Sequence, residues 1–328
     1  MRIVVAPDTF KGTIAARQLA ESIADALRAV GHDVVSVPMS DGGEGFLDAM
    51  GGPNRVATVT GPLGAPVDAP WRLHRGRAVI EMATASGLGL AGGPDENDPI
   101  EATTYGTGEL IARAVELGAR HVLVGVGGSA TTDGGMGALR ALDPPQRYKG
   151  IDLQVACDVR TRFVDAARVF APQKGASPAQ VSLLERRLER LAQVYRDERG
   201  VDVTAIEGSG AAGGLAGGLA SIGALLVPGF DLVVAETALD EAIEDADLVI
   251  TGEGFLDDES FDGKVVGGVA TLCAELGVRC VAIVGEVVEP LPPFPEGFEV
   301  VSLSQRFGAE RSMDDPAGCA VEVALELV

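Results

Sequence analysis

The sequence predicts an α/β protein built from two lobes with a cleft between them. Three observations lead to this prediction. Short apolar runs of strand length alternate with amphipathic helical patterns, a stretch with a period of two interrupts them, and 328 residues exceed one average domain. We expect one lobe to be Rossmann-like with a mainly parallel sheet, and the other to be an inserted α/β domain with a mixed sheet.

The N-terminal elements form a predicted βαβ unit. Residues 2–7 (RIVVAP) are typical of a buried parallel strand, residues 14–30 of an amphipathic helix, and residues 33–38 of the next strand. Residues 54–82 differ because Gly and Pro break their period-two stretches, a pattern that predicts antiparallel strands and hairpins. A helical pattern over residues 104–118 follows them.

The later elements continue the alternation of strands and helices. They are predicted strands at residues 121–126, 247–252, 280–285 and 299–304, a glycine-rich block over residues 208–224, and a last helix over residues 316–327. From this order we expect a discontinuous Rossmann-like lobe of residues 1–60 plus 270–328, with residues 61–269 inserted as the second lobe.

Composition and charge exclude several classes of protein. The formal net charge is −22, so the broad basic surface that binds nucleic acid or anionic membranes is missing, and neither partner is expected. The four cysteines form no C-x-x-C pair, which is typical of small core residues in a reducing compartment. The chain opens on a strand-like run without signal-peptide features, and its apolar runs are too short to span a bilayer. We therefore expect a soluble, cytoplasmic protein.

Four predicted strands lead directly into glycine-rich, polar turns. Because ligands bind outside the carboxyl ends of strands in open parallel sheets, side chains in these turns are candidates for a binding site. Their glycines, hydroxyls and carboxylates indicate a polyanionic ligand held by backbone N–H groups, with carboxylates able to hold Mg²⁺. The turns contain, in chain order, Asp8 and Lys11; Asp41 and Glu44; Ser129, Thr131 and Asp133; and Glu253, Asp257 and Lys264.

Lysine is rare in this chain, which has four lysines against 22 arginines. Lys11, Lys174 and Lys264 lie in the segments FKGT, PQKGA and DGKV. A lysine ammonium is a compact point charge that suits phosphate oxygens, so these three residues are candidates for binding phosphate or carboxylate groups.

Several well-known catalytic motifs are missing from the sequence. There is no G-x-x-x-x-G-K-[ST] P-loop, and no protein-kinase set of H-R-D and D-F-G motifs. No G-x-S-x-G elbow occurs, and His32, His74 and His121 are expected at the surface, so neither a Ser-His-Asp hydrolase nor a zinc site is predicted. An oxidoreductase is disfavoured because no G-x-G-x-x-G opens a helix after the first strand.

A series of motifs carries a resemblance to a known family. They are, in order, PDTFKGT, PMSDGGEG, VTGPLGAPV, IEMATASGL, ATTYGTGELI, VGVGGSATTDGG, VFAPQKGA, GSGAAGGLAGG and ADLVITGEG followed by DGK. In this set and order, from the N-terminus to about residue 285, the sequence resembles the bacterial glycerate kinase family of type I. The resemblance implies a two-lobed α/β kinase that uses ATP to phosphorylate D-glycerate in the cleft, usually at O2 to give 2-phosphoglycerate.

The chain departs from the family pattern in a few places. Phe255 stands where an arginine is usual, and Glu259 and Ser260 replace a Gln-Thr pair. The segments DPPQRYKG and RTRFVDAARVF are shorter than their family counterparts, and the second lacks an Asn-Pro-Leu turn after ACDV. A lost arginine weakens carboxylate or phosphate binding unless Arg160 or Arg162 compensates for it.

Candidate roles follow from what phosphoryl transfer requires, which is positioning and charge neutralisation. We predict Asp133 as the general base, and Asp41, Glu253 and Lys11 as further catalytic residues. Asp41, Glu44 and Glu253 are candidates for holding Mg²⁺ or, in one case, for orienting the attacking hydroxyl. The residues expected to bind substrate or nucleotide are Asp8, Gly42, Gly43, Glu44, Thr104, Thr107, Gly127, Gly128, Ser129, Thr131, Thr132, Asp158, Lys174, Gly252, Asp257 and Lys264.

Two alternatives to a glycerate kinase remain open. One is a kinase of the same fold for another small hydroxy acid, which Phe255 and the shortened segments favour. The other is a catalytically silent ligand-binding homologue, which the lysines and carboxylates at the strand ends disfavour. Asp8, Asp158 and Asp257 also have a structural alternative as turn or N-cap residues. The expected partners are a small-molecule hydroxy acid and a nucleotide, and a homodimer is the common default for such enzymes.

Overall fold

The computed structural model describes all 328 residues, which form two compact units. The first unit consists of residues 1–41, 48–50 and 230–328, and the second of residues 42–47 and 51–229. The first contains a five-stranded parallel sheet and a two-stranded sheet, whereas the second contains a six-stranded mixed sheet. The predicted α/β class, with one mainly parallel and one mixed sheet, is confirmed.

Strands and helices alternate along most of the chain. The strands are β1 (Arg2–Pro7), β2 (Asp33–Ser36), β3 (Arg55–Thr60), β4 (Pro66–His74), β5 (Arg77–Glu81), β6 (His121–Gly125), β7 (Asp152–Ala156), β8 (Leu225–Val227), β9 (Leu248–Gly252), β10 (Phe255–Leu256), β11 (Arg279–Val284), β12 (Glu286–Val287) and β13 (Phe298–Ser302). The helices are α1 (Ala16–Ala29), α2 (Phe46–Ala49), α3 (Ala83–Ser86), α4 (Tyr105–Glu116), α5 (Met136–Ala141), α6 (Ala166–Phe170), α7 (Pro178–Arg199), α8 (Ala211–Ala220), α9 (Gly229–Thr237), α10 (Leu239–Glu244), α11 (Val265–Leu276), α12 (Leu303–Phe307), α13 (Ala309–Asp314) and α14 (Pro316–Glu326).

The five-stranded sheet of the first unit has the order β2-β1-β9-β11-β13, and every neighbouring pair is parallel. At its centre, Val4 lies opposite Val35 on one side and Val249 on the other. The chain leaves β1 through α1 toward one edge of the sheet, whereas β9 continues through α11 to β11 on the other side. The strand order therefore reverses between β1 and β9, which is where open parallel sheets bind ligands.

Helix α1 packs one apolar face against this sheet. Leu19, Ile23 and Leu27 recur at helical spacing and are buried in the core of the first unit. The helix begins two residues later than predicted because the preceding residues close a turn, in which Phe10 N donates to Ile14 O (2.9 Å). This turn contains Lys11 and comes directly after Asp8 and Thr9, the first residues beyond β1.

The six-stranded sheet of the second unit has the order β3-β4-β5-β6-β7-β8. The pairs β3–β4 and β4–β5 are antiparallel, which confirms the hairpins predicted for residues 54–82, and the last three pairs are parallel. Trp71 and Ile80 are buried in the main core of this unit. A second cluster packs α7 through Leu188 and Tyr195 against Phe163.

The bounds of the two units differ from the ranges expected for the two lobes. Residues 230–269 belong to the first unit, because they contain β9, which pairs with β1 and β11 in the parallel sheet. Residues 51–60 belong to the second unit, because β3 pairs with β4. In each case the pairing of one strand decides the boundary. Strand β9 pairs with β1, which is distant in sequence, and β3 pairs with β4 of the second unit.

The cysteines and histidines have the character expected from the sequence. All four cysteines are free thiols, three of them buried and one partly buried. His74 and His121 are exposed, and His32 is partly exposed. None of the helices combines the length and the apolar character that crossing a membrane requires.

Candidate active site

Strands β1 and β9 end side by side in the first unit. The backbone N–H of Asp8 donates to Gly252 O (2.8 Å), which joins the first residue after β1 to the last residue of β9. Asp8 and Glu253 are therefore the first residues beyond the two strands at the point where the strand order reverses. The structure brings together these two residues, which the sequence assigned to the site from different turns.

The carboxylate of Asp8 lies among other negative charges. Burial raises the pKa of Asp8 well above its ordinary value, and Asp41 and Glu253 raise it further. The N–H of Thr9, which donates to Asp8 Oδ1 (2.6 Å), and the ammonium of Lys11 have the opposite effect. Asp8, Asp41, Glu253 and Lys11, which follow β1, β2 and β9, thus interact electrostatically in one place.

Glu253 combines a raised pKa with a carboxylate oxygen that has no partner. Burial raises the pKa of Glu253 to about 7; a hydrogen bond from Ser260 and the charge of Lys264 oppose the rise, and Asp257 and Asp41 add to it. Its Oε1 atom is buried and accepts no hydrogen bond within the protein. A buried acceptor without a donor costs free energy, so a ligand, a cation or a proton at this atom would stabilise the site.

The turn after β10 is closed by hydrogen bonds between Asp257 and Ser260. Ser260 N donates to Asp257 Oδ1 (3.0 Å) and Asp257 N donates to Ser260 Oγ (3.0 Å), a reciprocal capping box that supports the N-cap alternative for Asp257. Lys264 precedes α11 and donates to Glu259 (3.2 Å). Partial burial lowers the pKa of Lys264, but the bond to Glu259 and the nearby carboxylates outweigh it and raise the pKa overall. Glu259 and Ser260, which stand where the family usually has a Gln-Thr pair, therefore both have hydrogen-bond partners in this turn.

The carboxylates of the first unit fit a magnesium ion held jointly with phosphate. No group of three or more His, Cys, Asp or Glu side chains is arranged to hold a metal ion by itself. Mg²⁺ needs only one or two carboxylates when phosphate oxygens and water complete its shell. Asp8 and Asp41 would offer two such carboxylates, because the charge of Asp41 raises the pKa of Asp8 and an added cation would offset this repulsion. Glu44 is exposed and belongs to residues 42–47 of the second unit.

Glycines in the second unit let two backbone segments approach closely. A Cβ on Gly127 would lie 2.4 Å from Gly43 Cα, and one on Gly42 would lie 2.7 Å from Ala156 Cβ. Gly42 has φ +92° and Gly128 has φ +68°, which disfavour other residues. These four glycines were predicted to bind a ligand; close packing at Gly42, Gly43 and Gly127 and the positive φ of Gly128 account for them as well.

Lys174 is buried in the second unit and donates to the turn after β6. Its Nζ lies 2.7 Å from Ser129 Oγ and 2.6 Å from Thr131 O. Burial lowers the pKa of Lys174 to about 7, and the charge of Asp133 opposes this shift. Asn97, which the sequence did not single out, donates to both Lys174 O (2.9 Å) and Ala130 O (3.1 Å).

The carboxylate of Asp133 is saturated with hydrogen bonds. It accepts from Thr104 N (2.9 Å), Thr104 Oγ1 (2.9 Å), Gly135 N (3.0 Å) and Gly137 N (3.0 Å). Thr104 Oγ1 in turn accepts from Ala138 N (2.9 Å). An ionised carboxylate offers about four acceptor sites, so these donors fill it and tie the start of α4 to the start of α5. This arrangement is typical of an anchor for the turn, while a base needs a free oxygen.

Other predicted residues of the second unit also have structural partners. Thr107 Oγ1 is hydrogen-bonded to Ser86 Oγ (2.8 Å), and both hydroxyls are buried. Asp158 accepts from Gly229 N (2.8 Å), consistent with the turn alternative. Thr132 differs, because its buried Oγ1 has no hydrogen-bond partner. Ser86 lies in the motif IEMATASGL. The sequence therefore singled out the segment that contains Ser86, but not its hydrogen bond to Thr107.

Comparison with known proteins identifies the family. The chain matches the profile of the glycerate kinase family over residues 3–145 and 143–317. The chain belongs to the glycerate kinase family. It is 40% identical over 331 residues to the glycerate 2-kinase of Escherichia coli K12, covering 88% of this chain and 86% of that protein. It is 39% identical over 327 residues to the glycerate kinase of Halalkalibacterium halodurans, covering 87% and 85%.

A solved structure extends this likeness to the whole fold. The crystal structure of a protein assigned as glycerate kinase 2 from Salmonella typhimurium LT2 matches with a TM-score of 0.83 and 34% sequence identity. The match covers 100% of this chain and 98% of that one. Phe255, which the sequence motifs marked as a departure from the family pattern, is 56% exposed on β10, two residues beyond Glu253.

Proposed function

We propose that the protein transfers the γ-phosphoryl group of ATP to the 2-hydroxyl of D-glycerate, giving ADP and 2-phosphoglycerate. Membership of the glycerate kinase family over nearly the whole chain carries this proposal. The arrangement of the first unit supports it, because carboxylates and lysines follow strands that end where the sheet order reverses. A cytoplasmic location and a homodimer stay predictions.

The first unit supplies groups suited to ATP and magnesium. Lys11 and Lys264 would bind phosphate oxygens, and the free N–H groups at the start of α11 would add to the charge of Lys264. Asp8 and Asp41 would hold Mg²⁺, which when bound neutralises phosphate charge during transfer. The protein's own contribution is to keep these groups in fixed positions, so that little reorganisation is needed when the phosphoryl group moves.

The proton of the attacking hydroxyl needs an acceptor, and two carboxylates are candidates. Asp133 was predicted for this role, but four hydrogen bonds occupy its oxygens. Glu253 has a pKa of about 7 and a buried oxygen without a donor. A base needs an oxygen that is free to take the proton, so we assign proton acceptance to Glu253 and positioning to Asp133.

The turn after β6 is suited to an anionic group of either substrate. Ser129, Thr131 and Thr132 place hydroxyls and backbone amides among glycines, a combination that binds phosphate or carboxylate. The three side chains are buried, so an anion would meet this turn at Gly127 and Gly128, which are accessible. We therefore propose that this turn binds the substrate anion in the second unit.

A second candidate function is phosphorylation of a different small hydroxy acid. It is favoured by Phe255, whose exposed ring replaces the charge of the usual arginine near Glu253. An aromatic ring cannot pair with a carboxylate, so it would favour an acceptor with an apolar substituent.

Turnover measurements with defined acceptors test both candidates. ADP release would be followed with ATP, Mg²⁺ and D-glycerate, beside L-glycerate, lactate and larger 2-hydroxy acids, and the product identified by ³¹P NMR. We expect D-glycerate to have the highest kcat/KM and to yield 2-phosphoglycerate. A larger hydroxy acid with a higher kcat/KM would establish the second candidate, and 3-phosphoglycerate as product would overturn transfer to O2. Absence of turnover on every acceptor would overturn the proposed kinase activity.

A further inference from the structure

Lys174 is a buried lysine whose hydrogen bonds lie within the protein. Its relative exposure is only 3%, so it has almost no surface at which to meet a ligand. Its ammonium donates to a side-chain hydroxyl and to a backbone carbonyl of the turn after β6, on Ser129 and Thr131. Burying an ammonium is unfavourable unless hydrogen bonds compensate for the lost hydration, and these two contacts supply that compensation.

The segment that carries Lys174 is fixed a second time, independently of the ammonium. The amide of Asn97 donates both to the carbonyl of Lys174 and to that of Ala130, and so ties the same two segments together. Gly175 allows this approach, because it has φ +92° and a Cβ there would lie 2.0 Å from Pro94 O. Two segments of the second unit, around Asn97 and Lys174, thus converge on the turn.

We propose that Lys174 is a positioning residue: its hydrogen bonds to the buried Ser129 and Thr131 hold the turn after β6 in the conformation that binds the substrate anion, and the ligand meets the accessible Gly127 and Gly128 of the turn rather than the lysine. The inference rests on the proposed kinase function and adds which residue fixes the turn after β6. It replaces the sequence-based expectation that Lys174 binds phosphate directly. Displacing a binding group by about 1 Å can cost about a hundredfold in rate, so an internal anchor of this kind is consequential for catalysis.

Hydrogen exchange and kinetics of Lys174→Met test this role. Met keeps the length and apolar stem of the side chain but cannot donate to Ser129 or Thr131. In the protein without ligand, we expect amide exchange across residues 128–134 to rise at least about tenfold. We expect kcat to fall about 10- to 100-fold, while the KM values for ATP and D-glycerate change less than about threefold.

Two other lysines serve as matched controls. Lys149→Met changes an exposed lysine outside the site and should leave both exchange and kinetics unchanged. Lys264→Met removes a proposed phosphate ligand, so it should raise the KM for ATP without changing exchange at residues 128–134. Asn97→Ala removes the second tie and should accelerate the same amides, by a few-fold, even if Lys174→Met does not fold.

The inference is overturned if exchange at residues 128–134 is unchanged in Lys174→Met or, where that variant does not fold, in Asn97→Ala. It is also overturned if KM for either substrate rises tenfold or more in Lys174→Met at constant kcat, since that would indicate direct contact with the ligand. The exchange measurement needs no turnover. Failure of the kinase proposal would therefore appear as inactivity of the unsubstituted protein, whereas failure of this inference would appear in the exchange data.

Discussion

Four donors surround the carboxylate of Asp133, whereas one oxygen of Glu253 has none. The two residues should therefore respond differently to amide substitution. Asp133→Asn places an NH₂ group against N–H donors, and we expect a loss of about 2–4 kcal/mol in the free energy of unfolding. Glu253→Gln removes a proton acceptor but also a repelling charge, so we expect kcat to fall about 10²- to 10⁴-fold with stability unchanged or raised.

Urea denaturation and steady-state turnover of the two variants separate these roles. Glu253→Gln should be folded but slow, and Asp133→Asn should be measurably less stable. If Asp133→Asn kept full stability and lost turnover, while Glu253→Gln stayed active, the base would be Asp133, as the sequence suggested.

The buried amine of Lys174 also predicts how stability depends on pH. Burial lowers its pKa in the folded protein from 10.5 to about 7, against the opposing charge of Asp133. Between these values the unfolded chain binds more protons than the folded one, so the free energy of unfolding rises as pH rises from 7 to 10.5. The full contribution is about 4–5 kcal/mol at most, because one pKa unit is about 1.4 kcal/mol.

The measurement compares the unsubstituted protein with Lys174→Met by urea denaturation at several pH values from 7 to 10. The titration of groups that both proteins share cancels in the difference between their unfolding free energies, so the pH dependence of this difference reports Lys174 alone. We expect the unsubstituted protein to gain stability relative to the variant as pH rises. Parallel stability curves would show that the folded state does not shift the pKa of this amine.

At the residue scale, the residue types that form the candidate site could be predicted from the sequence, whereas most of their contacts could not. Asp8 and Glu253 were assigned to the site because each follows a strand, and the structure joins the two strand ends. Lys174 was recognised as unusual, but its burial and its bond to Ser129 could not be read from residues 45 positions apart. Asn97 was missed altogether, because a single polar residue in a loop carries no pattern.

At the scale of elements, strands were easier to predict than glycine-rich or charged helices. The predicted strand at residues 2–7 matches β1, and the helix at 104–118 differs from α4 by one residue at its start and two at its end. Helix α7 and strands β7 and β8 were not predicted. Helix α8 lay inside a glycine-rich block that resembled a turn, because glycine has poor intrinsic helix propensity.

Packing explains why a glycine-rich segment is helical here. A Cβ on Gly218 of α8 would lie 2.6 Å from Gly134 O, so only glycine lets the helix contact the turn after β6. Intrinsic propensity favours Gly218→Ala by about 1 kcal/mol, but the clash with backbone should outweigh it. We expect the variant to lose about 1–3 kcal/mol in the free energy of unfolding.

The opposite substitution at the start of the same segment provides the control, in residues 212–214, whose backbone is left-handed rather than helical. Ala212 has φ +52°, a left-handed conformation that costs about 1–2 kcal/mol for residues with a Cβ. Ala212→Gly relieves this strain and loses one buried methyl group, so stability should change by less than about 1 kcal/mol. A stabilised Gly218→Ala in chemical denaturation would show that propensity, rather than packing, governs α8.

At the scale of the whole molecule, class and sheet types followed from the sequence, whereas strand order did not. Periodicity reports whether a segment is a strand, but the neighbour of that strand depends on contacts between distant segments. The reversal of order between β1 and β9 was therefore visible only in the structure. The same limitation explains why residues 230–269 were placed with the inserted lobe.

Net charge is a property of the whole chain, and it predicts a response to salt. A formal charge of −22 destabilises the compact state through self-repulsion, which added ions screen within a Debye length of about 10 Å at 0.1 M. The exposed ion pairs, such as Arg279–Glu299, would be weakened by the same screening, but each contributes at most about 1 kcal/mol. We expect repulsion to dominate, so that raising NaCl from 10 to 200 mM increases Tm by about 2–4 °C.

Thermal denaturation at constant pH measures this shift in Tm. KCl at equal ionic strength should give the same shift, because screening does not depend on the cation. A Tm that stayed constant or fell with salt would mean that the ion pairs outweigh the excess negative charge.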